Sequence, residues 1–292
     1  MKYYNAAGLA CALDLLDAAE GSGVILAGGT DIMVEFNRTP VDEGLCVIHI
    51  GGIDELAQIT ETDHDIRMGC LVTAAQVLDS PLLHRHAAAL WEAAYASSGP
   101  QVRNRATIGG NIGTASPAGD MVAALNCLGA SVTIRSKYGG KTGTVDEIIC
   151  GAKQTVLKNN EIITEISVPK CAPFAGSAFE KMGRRKAMAI SLAGAACFVK
   201  LDPSGRVIED IRVVIGSAAP TTVRAADVET ALRGMPVDDG IIREKSKLAL
   251  LSVSPITDQR ATRNYRSELI PVLVSRAIAR AVSNANLPGG GP

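Results

Sequence analysis

The chain has 292 residues, 47% of them hydrophobic, which is ample for a packed core and suggests two domains. Its 29 Lys and Arg residues nearly cancel its 30 Asp and Glu residues, and aromatic side chains make up only 3%; this balance excludes both an electrostatic nucleic-acid binder and a stacking platform for single strands. Met1 to Asn5 leads into no long apolar run that would read as a signal peptide. Later apolar stretches are interrupted well before the ~20 residues of a membrane span, so a cytoplasmic protein with no membrane partner is expected.

Leu9, Leu13 and Leu16 have helical spacing within 7–20, and Gly21 and Gly23 stop the pattern. Residues 24–27 read as a short buried strand ending at Gly28-Gly29. Asp31 is placed to cap a short helix over 32–36, and 45–50 reads as a second strand. The first ~50 residues therefore form a small alternating α/β lobe. A strand follows at 66–69. Helices are expected at 73–78 and 82–97, the second opened by Pro81. Alternation over 132–135 before Gly139-Gly140 suggests a hairpin, and 161–168 reads as a strand ended by Pro169.

Residues 170–176 are the best linker candidate. Beyond it, 191–201 and 207–215 flank the turn Asp202-Pro203-Ser204-Gly205 as a long antiparallel pair. Helical patterns occupy 225–232, 241–251 and 267–285. A Pro- and Gly-rich end from Asn286 is expected to be mobile. These readings divide the chain into a domain at 1–172, with subdomains at about 1–55 and 56–172, a smaller α+β domain at 173–286 and a tail at 287–292.

The seven cysteines contain no C-x-x-C pair and are odd in number, which argues against a disulfide framework, cysteine-bound zinc or an iron–sulfur centre. They read as buried reduced thiols. Cys46-x-x-His49 and His84-x-His86 lack enough neighbours to hold a metal.

Two glycine-rich segments carry the chemistry. The first is Ala27-Gly28-Gly29-Thr30-Asp31, between a strand and a helix. The second is Thr107-Ile108-Gly109-Gly110-Asn111-Ile112-Gly113-Thr114, continuing through Ser116-Pro117-Ala118-Gly119-Asp120. Glycine lets backbone N–H groups approach a phosphate with no Cβ in the way, and Thr and Ser hydroxyls add donors. Two such loops facing each other would cradle a diphosphate, with the helix after Asp31 pointing its positive end into the same space. Asp31 and Asp120 are suited to sugar hydroxyls or to backbone N–H groups rather than to phosphate. A Rossmann fingerprint fails because Ile108 stands where G-x-G-x-x-G needs glycine. Gly140-Lys141-Thr142 mimics the end of a P-loop, but Arg135 replaces the leading glycine and the stretch is a hairpin turn.

These segments resemble those of the FAD-binding medium subunits of molybdenum hydroxylases, the family of xanthine, nicotinate and carbon monoxide dehydrogenases. Ala115-Ser116-Pro117 with Asp120 belongs to the likeness, as do the run from Phe179-Glu180-Lys181 through Met188 and Asn264-Tyr265-Arg266. It covers nearly the whole chain. The resemblance implies a vanillyl-alcohol-oxidase-type FAD domain of two α+β subdomains, followed by a smaller C-terminal α+β domain. It also implies that Ile25, Leu26, Ala27, Gly28, Gly29, Thr30, Asp31 and Ile32, with Thr107, Ile108, Gly109, Gly110 and Asn111, hold the pyrophosphate and neighbouring parts of a non-covalent FAD. Thr114 and Ser116 are counted with them. Asp120 would bind a sugar or ribityl hydroxyl, Ile163 would pack near the isoalloxazine ring, and Lys181 would lie close to it, its charge favouring reduced, anionic flavin.

The implied assembly is a heterotrimer. A large subunit carries the molybdenum cofactor, a small subunit carries two [2Fe–2S] clusters, and this chain passes electrons through FAD to NAD or another acceptor. It would have no catalytic residue or metal of its own toward the hydroxylated substrate. Ser97 stands where some eukaryotic relatives carry an aromatic near the flavin. The inserted cysteine-bearing loop of benzoyl-CoA-reducing relatives is not visible. The competing readings are a stand-alone FAD-dependent oxidase of the same fold and a flavin-free assembly protein.

Overall fold

The computed structural model describes residues 1–186 and 188–285. The expected tail at 287–292 lies outside the described residues, as does Ala187 within the run ending at Met188. Strand β1 (Lys2–Asn5), helix α1 (Leu9–Ala18), strand β2 (Gly23–Leu26), helix α2 (Ile32–Phe36) and strand β3 (Cys46–His49) form the first lobe. Its sheet has the order β1-β3-β2, both pairs parallel. Parallel neighbours need a crossover between them, which α1 and the α2 segment supply. β1 escapes the sequence reading because it shows no alternation and all four residues are exposed. β2 is half-buried along its length rather than fully buried, as befits the edge of a three-stranded sheet.

The second lobe is built on an antiparallel sheet of order β4-β5-β10-β6-β7. Its strands are β4 (Ile59–Glu61), β5 (Asp65–Gly69), β6 (Ser131–Ser136), β7 (Gly139–Thr144) and β10 (Ile162–Pro169). The hairpin β6–β7 turns where Gly139-Gly140 suggested. Helix α3 (Ala74–Asp79) begins with a complete capping box, Thr73 with Gln76, which satisfies two otherwise orphaned N–H groups. The helix expected over 82–97 is broken in two, α4 (Pro81–His86) and α5 (Ala88–Ala96), by Ala87 at φ −136°, ψ 48°. Short helix α6 (Pro100–Arg103) leads to α7 (Ile108–Thr114) and α8 (Asp120–Leu128). Helix α9 (Val145–Ile148) and the small pair β8 (Ile149–Gly151) and β9 (Gln154–Thr155) complete the lobe.

The connection before the third sheet is shorter than expected, because Ala175 and Gly176 already belong to strand β11 (Ala175–Gly183). β11 pairs with β12 (Ser191–Leu201), β12 with β13 (Ile208–Gly216) and β13 with the short β14 (Val223–Arg224), all antiparallel. Asp202 fixes the β12–β13 turn by accepting the N–H groups of Arg206 and Val207, each at 2.8 Å. Helices α10 (Ala226–Leu232) and α11 (Asp239–Lys245) follow. The pattern expected over 241–251 divides into α11 and a 3₁₀ segment, Ser246–Leu251. The last helix, α12 (Arg263–Ala285), buries Ile270, Leu273, Val274, Ala277, Ile278 and Ala281 beneath the third sheet.

The apolar side chains fall into two clusters. One fills the first two lobes and takes in Phe179, Ala196 and Val214 from beyond residue 175; the other lies between the third sheet and α12. Arg266, 2% exposed, joins elements of the second cluster by donating to the carbonyls of Leu192 and Ser217 and to Asp258. All seven cysteines are free; Cys70, Cys127 and Cys197 are buried, whereas Cys11 and Cys150 are exposed, contrary to the expectation of uniform burial. No helix among the described residues is long and apolar enough to cross a membrane.

Candidate cofactor-binding site

The first glycine segment leaves β2 where the N–H of Ile50 donates to Leu26 O at 3.0 Å. A Cβ on Gly28 would stand 1.8 Å from Arg105 O. Only glycine lets the segment lie against the 105–106 backbone. Gly29 is left-handed at φ +76°. The carbonyls of Gly29 and Asp31 accept from Met33 and Val34, which starts α2. The N–H groups of Gly28, Gly29, Thr30 and Asp31 donate to no group among the described residues. Four consecutive free donors with a left-handed residue among them are the raw material of an anion-binding nest. Asp31 occupies the N-cap position of α2 but makes no side-chain cap bond, so its expected capping is not its task. Its Oδ2 accepts from Thr114 Oγ1 at 3.4 Å, tying the first segment to the second.

The second segment is not a loop. It is α7, capped by Thr107, whose hydroxyl accepts the N–H of Gly110 at 3.0 Å. Ile108 and Gly109 donate to Val72 O and Cys70 O, and Asn111 donates to Thr107 O, all at 2.9 Å. The donors expected to face phosphate are therefore spent inside the protein. What α7 offers instead is shape and one side chain. Gly113 lines the cleft, and a Cβ there would meet nothing within 4 Å. Asn111 Oδ1 is buried with no hydrogen-bond partner, an orphan acceptor whose burial costs free energy until a donor arrives.

Between the segments lies a cleft of about 470 Å³ that continues into a narrower space of about 100 Å³. Ile25, Ala27, Asp31, Ile32, Gly110 and Thr114 line both. Gly28, Gly29, Thr30, Thr107 and Asn111 line the narrow part. Gly109 and Ile163 line the wider one.

Five expected residues lie elsewhere. Ile108 is fully buried in the core. Leu26 packs beside Gly29, and Ser116 Oγ accepts the N–H of Ala118. Asp120 and Lys181 form a buried ion pair, Nζ to Oδ2 at 2.6 Å. The sequence reading missed Cys70, Leu157, Thr155, Glu35 and Lys153 as wall residues, and Gly113 as more than part of a motif. Glu35 and Lys153, from α2 and the β8–β9 turn, pair at 2.7 Å across the mouth.

The Asp120–Lys181 pair sits where α8 meets the third sheet. Ser191 donates to Asp120 Oδ1 at 2.5 Å, and Lys181 also donates to Ala189 O at 3.0 Å. Burial pushes the Asp120 carboxyl above its usual range, against the opposing pull of Lys181 and Ser191. Both oxygens of Asp120 are thus engaged within the chain, and the Lys181 charge is already countered.

Lys181 lines a separate cavity of about 930 Å³ with Trp91, Tyr95, Arg103, Arg184, Arg185 and Lys186. Trp91 and Tyr95 stack at 5.7 Å, with the Arg103 guanidinium 5.8 Å from the Tyr95 ring centre. Ile163 and Lys181, expected to share one ring, therefore line different cavities. The cleft itself suits an elongated dinucleotide: free N–H groups beside its narrow part for phosphate, and apolar walls at Ile25, Ile32 and Ile163 for a flat ring.

Comparison with known proteins agrees with this chemistry. Residues 1–171 match the family described as the FAD binding domain in molybdopterin dehydrogenase, and 177–281 match the CO dehydrogenase flavoprotein C-terminal domain. The chain is 31% identical over 285 residues to a xanthine dehydrogenase FAD-binding subunit of Escherichia coli, covering 97% of this chain and 96% of that one. It is 30% identical over 271 residues to the carbon monoxide dehydrogenase medium chain of Hydrogenophaga pseudoflava, covering 92% and 93%. The solved carbon monoxide dehydrogenase of the same organism, in a form lacking the Mo-pyranopterin moiety, superposes with a TM-score of 0.91 at 28% identity over 97% of both chains. The chain belongs to the family of FAD-binding subunits of molybdenum hydroxylases.

Proposed function

We propose that this chain is the electron-transfer subunit of a heterotrimeric, cytoplasmic molybdenum hydroxylase. Electrons reach it from [2Fe–2S] clusters on a small subunit, supplied in turn by the molybdenum-binding large subunit, and leave for NAD or another acceptor. The observation that carries this reading is the row of free N–H groups from Gly28 to Asp31 in the wall of the narrow space, which shares Asp31 and Thr114 with the cleft that Gly113 lines. In this assignment those N–H groups hold the pyrophosphate of FAD, and Asn111 Oδ1 accepts from a sugar hydroxyl. Ile25, Ile32 and Ile163 pack on a ring system. Asp120 and Ser191 hold Lys181 rather than binding the cofactor themselves. Bound FAD supplies one-electron uptake and two-electron release as hydride. The larger cavity, with cationic side chains around an aromatic stack, is suited to an anionic nucleotide acceptor. We also assign 1–172 to the FAD-binding unit and 173–286 to the second, a division supported by the two apolar clusters.

The test is to purify the chain alone and with its partner subunits. The isolated chain is expected to bind FAD stoichiometrically and to pass electrons from NADH to a dye. It is expected to release its colour into the supernatant on acid precipitation and to hydroxylate no purine, aldehyde or N-heterocycle. Turnover of such a substrate by the chain alone would overturn the relay assignment, and colour retained in the pellet would overturn non-covalent binding.

A further inference from the structure

Away from the cofactor cleft, α11, the following 3₁₀ segment and the outer face of α12 enclose a groove of about 690 Å³. The buried face of α12 packs under the third sheet through Leu273, Val274, Ala277 and Ile278. Its opposite face carries Pro271 and Val272 into the groove, opposite Leu250. Val272 is 44% exposed and Leu250 40%, and the adjoining Leu251 is 71% exposed.

Three cations, Arg243, Lys247 and Arg276, border these apolar residues, against one carboxylate, Glu268. None of the three cations forms an ion pair with any described residue, although fourteen such contacts are made elsewhere among the described residues. The whole chain carries a formal net charge of −1, so this local excess is not the by-product of a basic protein. An apolar floor between unpaired cations lacks its complement, namely an apolar stripe flanked by carboxylates.

We propose that this groove docks an acidic amphipathic segment of a partner subunit of the holoenzyme. The inference rests on the assembly assigned above and adds the surface through which it forms. Val272, Leu250 and Pro271 supply the dry centre of the contact. Arg243, Lys247 and Arg276 pair with carboxylates at its rim, the guanidinium groups able to do so in bidentate fashion.

The experiment compares the wild-type chain with the triple variant Arg243→Glu, Lys247→Glu, Arg276→Glu. Each is co-expressed with the large and small subunits and followed by size-exclusion chromatography, with circular dichroism and flavin content recorded for each. The triple variant is expected to keep its fold and flavin while its affinity for the partners falls on the order of a hundredfold, like charges now facing like. Val272→Asp is expected to act in the same direction. Zero-length carbodiimide coupling of the wild-type complex is expected to join Lys247 to an Asp or Glu of one partner subunit, a readout that needs no variant. A wild-type chain that forms no complex would defeat the assembly reading itself. A wild-type complex that the triple variant matches, or Lys247 coupling only to a second copy of this chain, would overturn the groove assignment and leave that reading standing.

Discussion

The two glycine segments share a Gly-Gly pair and a threonine and make opposite uses of their backbone. In 27–31 the N–H groups of four consecutive residues remain free among the described residues, where Gly28 lies against the 105–106 backbone and Gly29 turns left-handed. In 107–114 each early N–H finds a partner inside the protein: Val72 O, Cys70 O, the Thr107 hydroxyl and Thr107 O. Glycine serves donation in the first segment and clearance in the second. Composition identifies a place where a ligand can approach a backbone. Which groups meet it there depends on where neighbouring carbonyls stand.

The largest expected effect follows from the first segment. Gly28→Ala puts a methyl where Arg105 O already stands, at 1.8 Å, and no flexible side chain can yield in its place. The expected cost is about 3 kcal/mol or more, with loss of soluble protein or of FAD from whatever folds. Chemical denaturation of the variant, alongside its flavin-to-protein ratio, measures this. Wild-type values for both would mean that the close approach of the two segments does not exist.

A smaller and more discriminating effect comes from Gly113. The residue is helical, exposed and clear of other atoms to 4 Å, so Gly113→Ala should stabilise the apoprotein by about 0.5–1 kcal/mol through helix propensity. The same methyl enters the cleft and is expected to weaken FAD binding roughly five- to hundredfold, from 1–3 kcal/mol of overpacking. Opposite signs in thermal unfolding of the apoprotein and in flavin titration are the signature. Equal or tighter binding would remove α7 from the cofactor wall. Gly110→Val cannot separate these readings, since its Cβ would stand 2.7 Å from the Thr107 hydroxyl and the variant would break the helix cap as well as the site.

This difference also explains how much of the molecule could be read in advance. The β6–β7 hairpin, the β12–β13 turn and α1 were legible because alternation, turn residues and helical spacing are local signals. α7 was not, because Gly109, Gly110 and Gly113 read as loop. The helix is held instead by burial of Ile108 and Ile112 one turn apart and by the Thr107 cap. β1 was invisible because its partner, β3, lies more than forty residues away in sequence. In the site, residues 27–31 announced themselves through Gly-Gly after a strand. Cys70 and Leu157 reach the cleft because they follow the ends of β5 and β9, and nothing around either residue marks that. Lys181 and Asp120 were read separately, one beside the flavin and one on a sugar hydroxyl, because nothing local shows that residues sixty-one apart form a buried ion pair.

A third test sharpens what the second segment contributes. If its donors are spent, its one polar contribution is the Asn111 side chain, whose Oδ1 waits without a partner. Asn111→Leu removes a buried unsatisfied acceptor, so the apoprotein should be as stable as the wild type or more so. The flavin complex should lose one hydrogen bond, about 0.5–1.5 kcal/mol, or a two- to tenfold rise in Kd. A rise well beyond tenfold would mean that more than one contact was removed and that α7 does present its backbone to the cofactor.

The smallest effect probes whether α7 stays pinned. Gly109 N–H reaches Cys70 O at 2.9 Å, and a Cβ on Gly109 would stand 2.5 Å from Cys70 Cβ, so α7 packs directly on Cys70, which is buried. Burial pushes that thiol up to about 12. At pH 8 this leaves roughly one molecule in ten thousand as the reactive thiolate. Brief treatment of the native apoprotein with a thiol reagent should therefore modify the exposed Cys11 and Cys150 and leave Cys70 untouched, as peptide mapping would report. The sign with pH is fixed by the raised value: labelling of Cys70 in the closed state should climb tenfold for each unit of pH and stay slow across the range in which the protein remains folded. Rapid modification of Cys70 at pH 8 would mean that α7 lifts from β5 in the absence of flavin, freeing the Gly109 N–H to act as a donor after all. The contrast between the two segments would then hold only for one conformation of the chain.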